Sequence, residues 1–234
     1  AGARLMRALG HEITPLYPAL VQLRCSHPAL KGLKGIRTQA ELTLMIDDQA
    51  VLRETGELLL TDYGVSGVCV FQLSREAAPA LAQGRSVRLA VNFLPEIPSL
   101  LPWLDARIRQ LAPASLLALT TGVLPRLLAQ TVIREARLSP DMPAEALSKS
   151  EKQALCGALS AFPLVVTGTQ GFANAQVTRG GVSLADVDPS TMASRLFDGL
   201  HIIGELLDVD GPCGGYNLHF AFAGALAAAK AIAG

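Results

Sequence analysis

The sequence predicts an α+β, multi-domain protein in which a small β-barrel and a helical segment precede a carboxyl-terminal α/β segment. Three observations lead to this fold class. Short stretches of alternating apolar and polar residues fill 18–98, and a helical period follows over 99–162. Apolar runs that end in a long helix fill 163–234, and we expect residues 1–17 to belong with that last segment.

The barrel is predicted from strands that alternate as half-buried strands do. The stretch VLRETGELLLT, residues 51–61, indicates a β-hairpin with Glu54, Thr55 and Gly56 in its turn. Several short strands in so short a stretch are typical of a small barrel. Alternation is clearest in three further stretches, residues 19–25, 40–47 and 86–95.

The helical segment is predicted from amphipathic stretches separated by proline-containing breaks. Ser148 and Glu151 have capping-box spacing at the start of the last stretch, and Trp103 is expected to anchor the helical core. Upstream, Ser66 is placed to cap a helix that runs to Leu81. The three amphipathic stretches are residues 100–111, 123–138 and 148–162.

Composition excludes several classes of function. The 20 basic residues balance 20 acidic ones, which argues against nucleic-acid or membrane-surface binding. No apolar run is long enough to span a bilayer, and no signal peptide is visible. The four cysteines form no C-x-x-C pair and the histidines show no metal spacing. We therefore expect no metal site and a cytoplasmic protein with reduced thiols.

The closing stretch GELLDVDGPCGGYNLHFAFAGALAAAKAIAG, residues 204–234, carries the clearest chemical signal. Gly211, Gly214 and Gly215 allow the backbone to approach a ligand closely, and Asn217 stands where a helix begins. The first N–H groups of a helix have no internal partner and suit an anion or a carbonyl that gains negative charge.

Two acids precede that turn. The run GLHIIG, residues 199–204, indicates a strand buried on both faces of a parallel sheet, with Glu205 and Asp208 at its carboxyl end. Carboxylates suit hydroxyl donors, so acids beside a bare helix N-terminus fit the ribityl chain and the carbonyl edge of a flavin. The alternative is a plain tight turn before a core helix whose small residues pack closely.

Three stretches, ARLMRALGHEITPLYPALVQL (3–23), ELLLTDYGVSGVCVFQLSR (57–75) and the run from QVTRGGV to GALAA (176–228), together resemble one bacterial family. The family is that of the NAD(P)/FAD-dependent oxidoreductases, which includes aminoacetone-oxidase-family and BaiN-like flavoproteins. The resemblance implies a two-dinucleotide-binding-type FAD domain, to which residues 1–17 and 163–234 belong. It also implies an insert that is part β-barrel and part helical.

The resemblance also implies a set of cofactor-binding residues. Gly204 and Glu205 fall where the chain meets the ribityl group, with Asp208 nearby. In such enzymes NAD(P)H reduces FAD at N5, and the flavin passes its electrons to an organic acceptor or to oxygen. The residues expected at the isoalloxazine are Gly214, Gly215, Tyr216, Asn217 and Leu218, and those on a loop close to it are Thr178, Gly180, Gly181 and Val182.

The motif TDYGVSG is the second candidate site, with Asp62, Tyr63 and Ser66 as catalytic candidates. Its place in the insert makes it a candidate wall of the substrate pocket, and the Tyr63 hydroxyl is a suitable proton donor to a developing enolate or alkoxide. The alternative is a tight turn in which Ser66 only caps a helix.

The sequence contains no G-x-G-x-x-G fingerprint, which the family uses to bind the FAD pyrophosphate. We therefore expect a fragment that lacks the amino-terminal FAD-binding half, binds FAD weakly or not at all, and self-associates through exposed edges. The hypothesis is a piece of an oxidoreductase that acts on a small-molecule substrate. The alternative is a non-catalytic binding module without flavin.

Overall fold

A computed structural model describes residues 2–234 and shows two compact units, one formed by the chain up to Val21 together with Thr169–Gly234, the other by Gln22–Gly168. The β-strands are β1 (Tyr17–Ala19), β2 (Leu23–Ser26), β3 (Arg37–Ile46), β4 (Gln49–Leu60), β5 (Gly64–Ser66), β6 (Val87–Asn92), β7 (Phe162–Thr169) and β8 (Val177–Arg179). The α-helices are α1 (Gly2–Ala8), α2 (Val68–Ala82), α3 (Leu100–Leu111), α4 (Leu116–Leu119), α5 (Arg126–Glu135), α6 (Lys149–Ser160) and α7 (Tyr216–Ala233).

The predicted barrel is confirmed. Six strands close in the order β2–β5–β4–β3–β6–β7, and the long β3–β4 hairpin is its largest pairing. The alternation predicted for β6 is also confirmed, since Val87, Leu89 and Val91 are buried while Arg88 is exposed. With α2 packed across β4, the fold is a mixed α+β one.

The predicted hairpin at residues 51–61 is wrong. Strand β4 runs straight through Glu54, Thr55 and Gly56, and the turn lies earlier, at Asp47 and Asp48, whose φ angles are 49° and 65°. Aspartate tolerates this left-handed conformation better than most residues, which suits a two-residue hairpin turn. A Cβ on Gly56 would lie 3.5 Å from the Cys69 Cβ, so this glycine marks where α2 approaches β4.

The helical segment matches its prediction closely. Helices α3, α5 and α6 fall within the three amphipathic stretches, and the Ser148–Glu151 capping box is present. Trp103 packs against the core only half-buried, with the Arg107 guanidinium 5.5 Å from its ring centroid. One continuous set of buried side chains joins the barrel interior to these helices, so the two parts share a single hydrophobic core.

Strand β7 belongs to the barrel, which the sequence did not predict. The stretch 163–170 was expected to open the carboxyl-terminal α/β segment, but β7 pairs with β6, Leu89 lying opposite Leu164, and completes the barrel. Its alternation supports this place, because Phe162, Leu164 and Val166 point inward. The division of the chain into segments at residues 17, 98 and 162 otherwise stays a prediction.

The unit formed by the chain up to Val21 together with Thr169–Gly234 is built around a two-stranded ribbon and a small core. Strands β1 and β8 pair antiparallel, with Tyr17 opposite Arg179. The core contains Met6, Val182, Val187, Ile202 and Leu207. The helix expected at the start is α1, and Ala1 lies outside the described residues.

The strand predicted at residues 199–204 is wrong. His201 forms only an isolated bridge to Ala193, and Ile202 donates its N–H to the Met192 carbonyl at 2.8 Å. Gly204–Leu206 is a single 3-10 turn. The apolar run therefore pairs with the loop that precedes it and not with a sheet. A short apolar run does not by itself specify a strand, and Ile202 is buried in this arrangement as it would be in a sheet.

Candidate functional site

A cavity of about 310 Å³ lies beside the amino terminus of α7. Its polar lining residues include Gln176, Glu205 and Asn217, and glycines 214 and 215 form part of its wall. Its apolar lining residues include Leu20, Val209 and Phe220. The cavity therefore joins the predicted acid, glycine and helix-start residues in one place and has a polar and an apolar component.

The glycine turn is held in shape by the Asn217 side chain. Its Oδ1 accepts a hydrogen bond from the Gly211 N–H at 2.7 Å, and its Nδ2 donates to the Gly211 carbonyl at 3.0 Å. Gly214 and Gly215 have φ angles of 126° and 91°, a region that favours glycine. The side-chain amide of Asn217 is thus occupied within the turn.

The start of α7 presents backbone donors. The first intrahelical bond at this end runs from the His219 N–H to the Gly215 carbonyl at 2.9 Å. The N–H groups of Tyr216, Asn217 and Leu218 precede it, and by helix geometry they have no intrahelical acceptor. Together with the helix dipole they form an electropositive end at the wall of the cavity.

The sequence predicted Glu205 at the end of a strand, but Glu205 lies in the 3-10 turn. Its Oε1 accepts a hydrogen bond from the Thr178 N–H at 2.7 Å, which fixes the carboxylate against β8. Asp208 does not line the cavity, and its N–H donates to the Val182 carbonyl at 2.9 Å. Of the two acids, only Glu205 is positioned to meet a ligand there.

The two glycines of the VTRGGV run are required by close backbone packing. A Cβ on Gly180 would lie 2.1 Å from the Pro15 carbonyl oxygen, and one on Gly181 would lie 2.6 Å from the Leu206 oxygen. The Thr14 hydroxyl accepts a hydrogen bond from the Gly181 N–H at 2.9 Å. These glycines let three backbone segments cross closely, and neither lines the cavity.

Helix α7 carries an exposed apolar stripe. Leu218, Phe222 and Leu226 follow one another at i, i+4 spacing and are 68%, 70% and 64% exposed. Tyr216 at the start of the helix is also exposed. The small residues of α7 were expected to pack closely against the rest of the protein, but most of them are not buried. The buried positions of the helix are Gly224 and Ala228.

The TDYG turn lies in the barrel unit. The Thr61 hydroxyl accepts from the Gly64 N–H at 3.1 Å, and Lys34 Nζ donates to Asp62 Oδ2 at 2.6 Å. This hydrogen bond and the Lys34 charge hold the pKa of Asp62 below its ordinary value. A Cβ on Gly64 would lie 2.2 Å from the Leu23 carbonyl oxygen, so the turn requires glycine.

The expectation that Ser66 caps a helix is wrong. Ser66 is the buried last residue of β5, and Gly67 stands at the N-cap of α2 without a side-chain cap. Tyr63 is half-buried, and its carbonyl accepts from the Cys25 N–H at 2.9 Å. Asp62, Tyr63 and Ser66 belong to the barrel unit, whereas the predicted flavin residues all belong to the other unit.

Sequence reasoning missed several residues of the cavity, Leu20 and Gln176 among them. Gln176 opens the QVTRGGV run and could have been included from it. Leu20 could not be predicted as a lining residue, because its position depends on a left-handed backbone conformation, with a φ of 50°, that leucine rarely adopts.

Within residues 2–234, no group of three or more His, Cys, Asp or Glu side chains is arranged to hold a metal ion. No helix in that range is both long and apolar enough to cross a membrane. Burial raises the pKa of the Cys25 thiol to about 12, so this thiol stays protonated.

A family model, the HI0933-like protein barrel and H2TH domain, matches residues 17–177 and so covers the whole barrel and helical segment. The chain belongs to this family. Its curated relatives include the 3-dehydro-bile acid delta(4,6)-reductase of Clostridium scindens, 37% identical over 236 aligned positions. That alignment covers 100% of this chain and 58% of the reductase.

Two further relatives of this HI0933-like chain are ribosomal RNA dihydrouridine synthases. The Escherichia coli protein is 31% identical over 98% of the chain and 55% of its own length. The Haemophilus influenzae protein is 28% identical over 99% of the chain and 55% of its own length. The chain thus spans a little over half the length of the curated relatives it matches.

Proposed function

We propose that this chain contributes part of a flavin site to a reductase of carbon–carbon double bonds conjugated to a carbonyl group. The observation that carries the proposal is the cavity in which Glu205 and the electropositive start of α7 lie together. The names of the relatives support the reaction class, because a bile acid delta(4,6)-reductase and a dihydrouridine synthase both saturate such a double bond.

The residues present fit a flavin. The cavity of about 310 Å³ is large enough for much of a tricyclic ring, and Gly215 has no heavy atom within 4 Å of where a Cβ would stand. When bound, FAD would supply hydride transfer at N5, with negative charge developing at its N1 and C2 edge. The backbone N–H groups of residues 216–218 would stabilise that charge, since helix N-termini favour anions.

Glu205 would accept hydrogen bonds from ribityl hydroxyls. Its Oε1 already accepts from the Thr178 N–H, and a carboxylate has several lone pairs to offer. Gly214 and Gly215 would let the backbone approach the cofactor, whereas Gly204 is buried, with the Ala221 Cβ 3.3 Å from where its own Cβ would stand. NAD(P)H is the electron donor we expect.

Tyr63 is the proton donor that we propose for the substrate. Asp62 in the same turn suits this role less, because Lys34 holds it deprotonated at neutral pH. A Tyr63→Phe variant of the full-length enzyme should reduce its substrate more slowly, while reduction of its flavin stays unchanged. An unchanged rate of substrate reduction would remove Tyr63 from the mechanism.

We propose a small-molecule substrate in preference to RNA. The chain carries no net charge, and five cations on the barrel form ion pairs with neighbouring acids, which makes them less available to phosphates. The ion pairs are Lys34–Asp62, Arg37–Glu57, Arg53–Glu41, Arg85–Asp47 and Arg88–Asp48. The full-length enzyme offered a 3-oxo-4-ene steroid and a uridine-containing RNA should reduce the steroid; reduction of the RNA alone would reverse this assignment.

We propose that the exposed stripe on α7 is a partner surface. Leu218, Phe222 and Leu226 would be covered by the complementary half of the flavin domain, which agrees with the greater length of the relatives. Without that cover the isolated chain should self-associate, and Phe222→Glu should shift it toward the monomer in light scattering. A monomeric wild-type chain would contradict the partner surface.

The test of the flavin site is a titration of the chain with FMN, followed by the backbone N–H resonances in NMR, which detects weak binding. We expect shifts confined to Thr178, Glu205, Gly211 and residues 213–218, because Pro212 has no backbone N–H. The alternative hypothesis, a binding module without flavin, predicts no saturable change in the N–H resonances at these positions. That result would overturn the proposed function.

A further inference from the structure

Two side-chain amides line the cavity beside α7, and they differ in what they bind within the protein. Asn217 uses both ends of its amide on Gly211. Gln176 makes only one side-chain hydrogen bond, a weak one that its Oε1 accepts from the Cys213 thiol at 3.9 Å. Within residues 2–234, no acceptor lies within hydrogen-bond distance of the Gln176 Nε2, so this amide keeps its two N–H donors for a ligand.

The Gln176 amide is accessible, while its backbone is fixed. The residue is exposed and forms part of the cavity wall, so its side chain has a free face that a ligand can contact. Its backbone N–H donates to the Leu20 carbonyl at 3.3 Å, directly before the first residue of β8. Gln176 therefore presents an available amide from a defined position on the wall.

Gln176 also lies close to the other polar groups of the cavity. Its contact with the Cys213 thiol places the amide beside the glycine turn that precedes α7. It stands two residues before Thr178, whose N–H holds the Glu205 carboxylate at 2.7 Å. The amide is thus a neighbour both of the turn that leads into the helix donors and of the residue that fixes the acid.

The pyrimidine ring of a flavin has one edge that suits a primary amide. Along this edge the C2 carbonyl accepts, the N3–H donates and the C4 carbonyl accepts. An amide can accept from N3–H with its oxygen and donate to the C4 carbonyl with its nitrogen. The Glu205 carboxylate cannot donate when it is ionised, and the N–H groups of α7 cannot accept, so neither can form this pair.

We propose that Gln176 determines ligand specificity by pairing with the N3–H and the C4 carbonyl of the flavin ring. The inference rests on the proposed flavin site. The start of α7 would bind the adjacent N1 and C2 edge, so the two sets of contacts follow one another around the same ring. The cavity would then select a ring whose N3 carries a hydrogen.

The experiment titrates the chain with lumiflavin and with 3-methyllumiflavin, which differ only by a methyl group on N3, and follows the backbone N–H resonances. The wild type should bind lumiflavin about tenfold more tightly, because the methyl group removes the donor and blocks the pair. Gln176→Leu should bind the two compounds equally. Gln176→Glu should keep a preference for lumiflavin that is smaller than the wild type's, since a carboxylate accepts from N3–H but cannot donate to the C4 carbonyl.

Gln83→Leu is the matched control, because Gln83 is an exposed glutamine of the other unit. This variant should keep the wild-type ratio of the two affinities. The urea midpoint of Gln176→Leu should equal that of the wild type, since the substituted side chain is exposed. A loss of fold would lower both affinities together and would not change their ratio.

The possible results separate this inference from the flavin site itself. If the wild type binds both compounds equally, or if Gln176→Leu keeps the wild-type ratio, the role of Gln176 is overturned while the flavin site stands. If the wild type binds neither compound, the flavin site is overturned, and this inference with it.

Discussion

The side-chain amide of Asn217 holds Gly211 by two hydrogen bonds, accepting from its N–H at 2.7 Å and donating to its carbonyl at 3.0 Å. A residue in the first turn of α7 thus closes the loop that precedes the helix. The glycines between them can then present an open backbone to the cavity without being free to collapse into it.

Asn217→Ala should weaken FMN binding by up to about thirtyfold, because two hydrogen bonds of about 1 kcal/mol each are lost from the loop. Asn217→Asp should be intermediate, since a carboxylate can accept from the Gly211 N–H but cannot donate to its carbonyl. Titration by fluorescence quenching measures both. His219→Ala, on an exposed side chain of the same helix, is the matched control. If Asn217→Ala bound FMN with wild-type affinity, this would contradict the role of the two hydrogen bonds between Asn217 and Gly211.

Glu205→Ala should weaken riboflavin binding by about tenfold to a hundredfold, because one hydrogen bond to a charged group is lost. Lumiflavin has the same ring but no ribityl chain, so its affinity should not change. Glu205→Gln keeps an acceptor for the Thr178 N–H and should lose less than Glu205→Ala. An equal loss for riboflavin and lumiflavin would show that Glu205 acts on the shape of the cavity and not on the ribityl hydroxyls.

Gly181→Ala should destabilise the chain by about 3 kcal/mol or prevent folding, because the new methyl group would meet backbone oxygens at 2.6–2.7 Å. Gly215→Ala is the matched comparison. Its Cβ would have open space, so only the strain of φ 91° remains, about 1–2 kcal/mol. Urea midpoints of the two variants decide the matter; similar values would contradict the crossing geometry at Gly181.

The Lys34–Asp62 pair gives a prediction for pH. The folded-state pKa of Asp62 is lowered, so its contribution to stability is present above the ordinary aspartate pKa and is lost as pH falls through the folded value. Lys34→Met should raise the pKa of Asp62 toward its ordinary value, as read by NMR titration of the carboxyl carbon. The stability difference between variant and wild type should also vanish at low pH.

Arg37→Met is the control for that titration. It removes the partner of Glu57 on the barrel and leaves the Lys34–Asp62 hydrogen bond untouched, so the Asp62 titration should not move. A shift of equal size in both variants would mean that the general positive charge of the barrel, rather than Lys34, sets the pKa of Asp62.

Local signals in the sequence predicted the helices well. Helix α6 begins where Ser148 and Glu151 form their capping box, and the interactions that define it lie within one turn of chain. The barrel was predictable for a similar reason, since alternation in β3 and β6 records which side faces the core.

Non-local contacts account for the errors. Glu54, Thr55 and Gly56 indicated a turn, yet Gly56 is a strand residue that lies beside Cys69 of α2. The run at residues 199–204 was apolar enough for a buried strand, and only the course of the preceding loop decided its pairing with Met192 and Ala193. The placement of β7 beside β6 likewise depends on a partner far away in the chain.

The candidate site was predictable where it lies in one short stretch. Glu205, Gly214, Gly215 and Asn217 do line one cavity, because the turn that joins them is closed within residues 204–217. Leu20 and Gln176 also line the cavity, but they are distant in sequence from this turn and carry no motif that links them to it.

The entire helical segment is topologically the connection of a hairpin, because β6 and β7 are neighbours in the barrel and α3–α6 lie between them in the chain. A ribosome delivers the chain from its amino terminus, so five strands emerge before the sixth exists. The ring therefore stays unsealed, with the β6 edge lacking its partner, until the helices have been synthesised. The helical segment must therefore fold compactly enough to bring β7 back to that edge, so closure of the barrel comes after it in the order of synthesis.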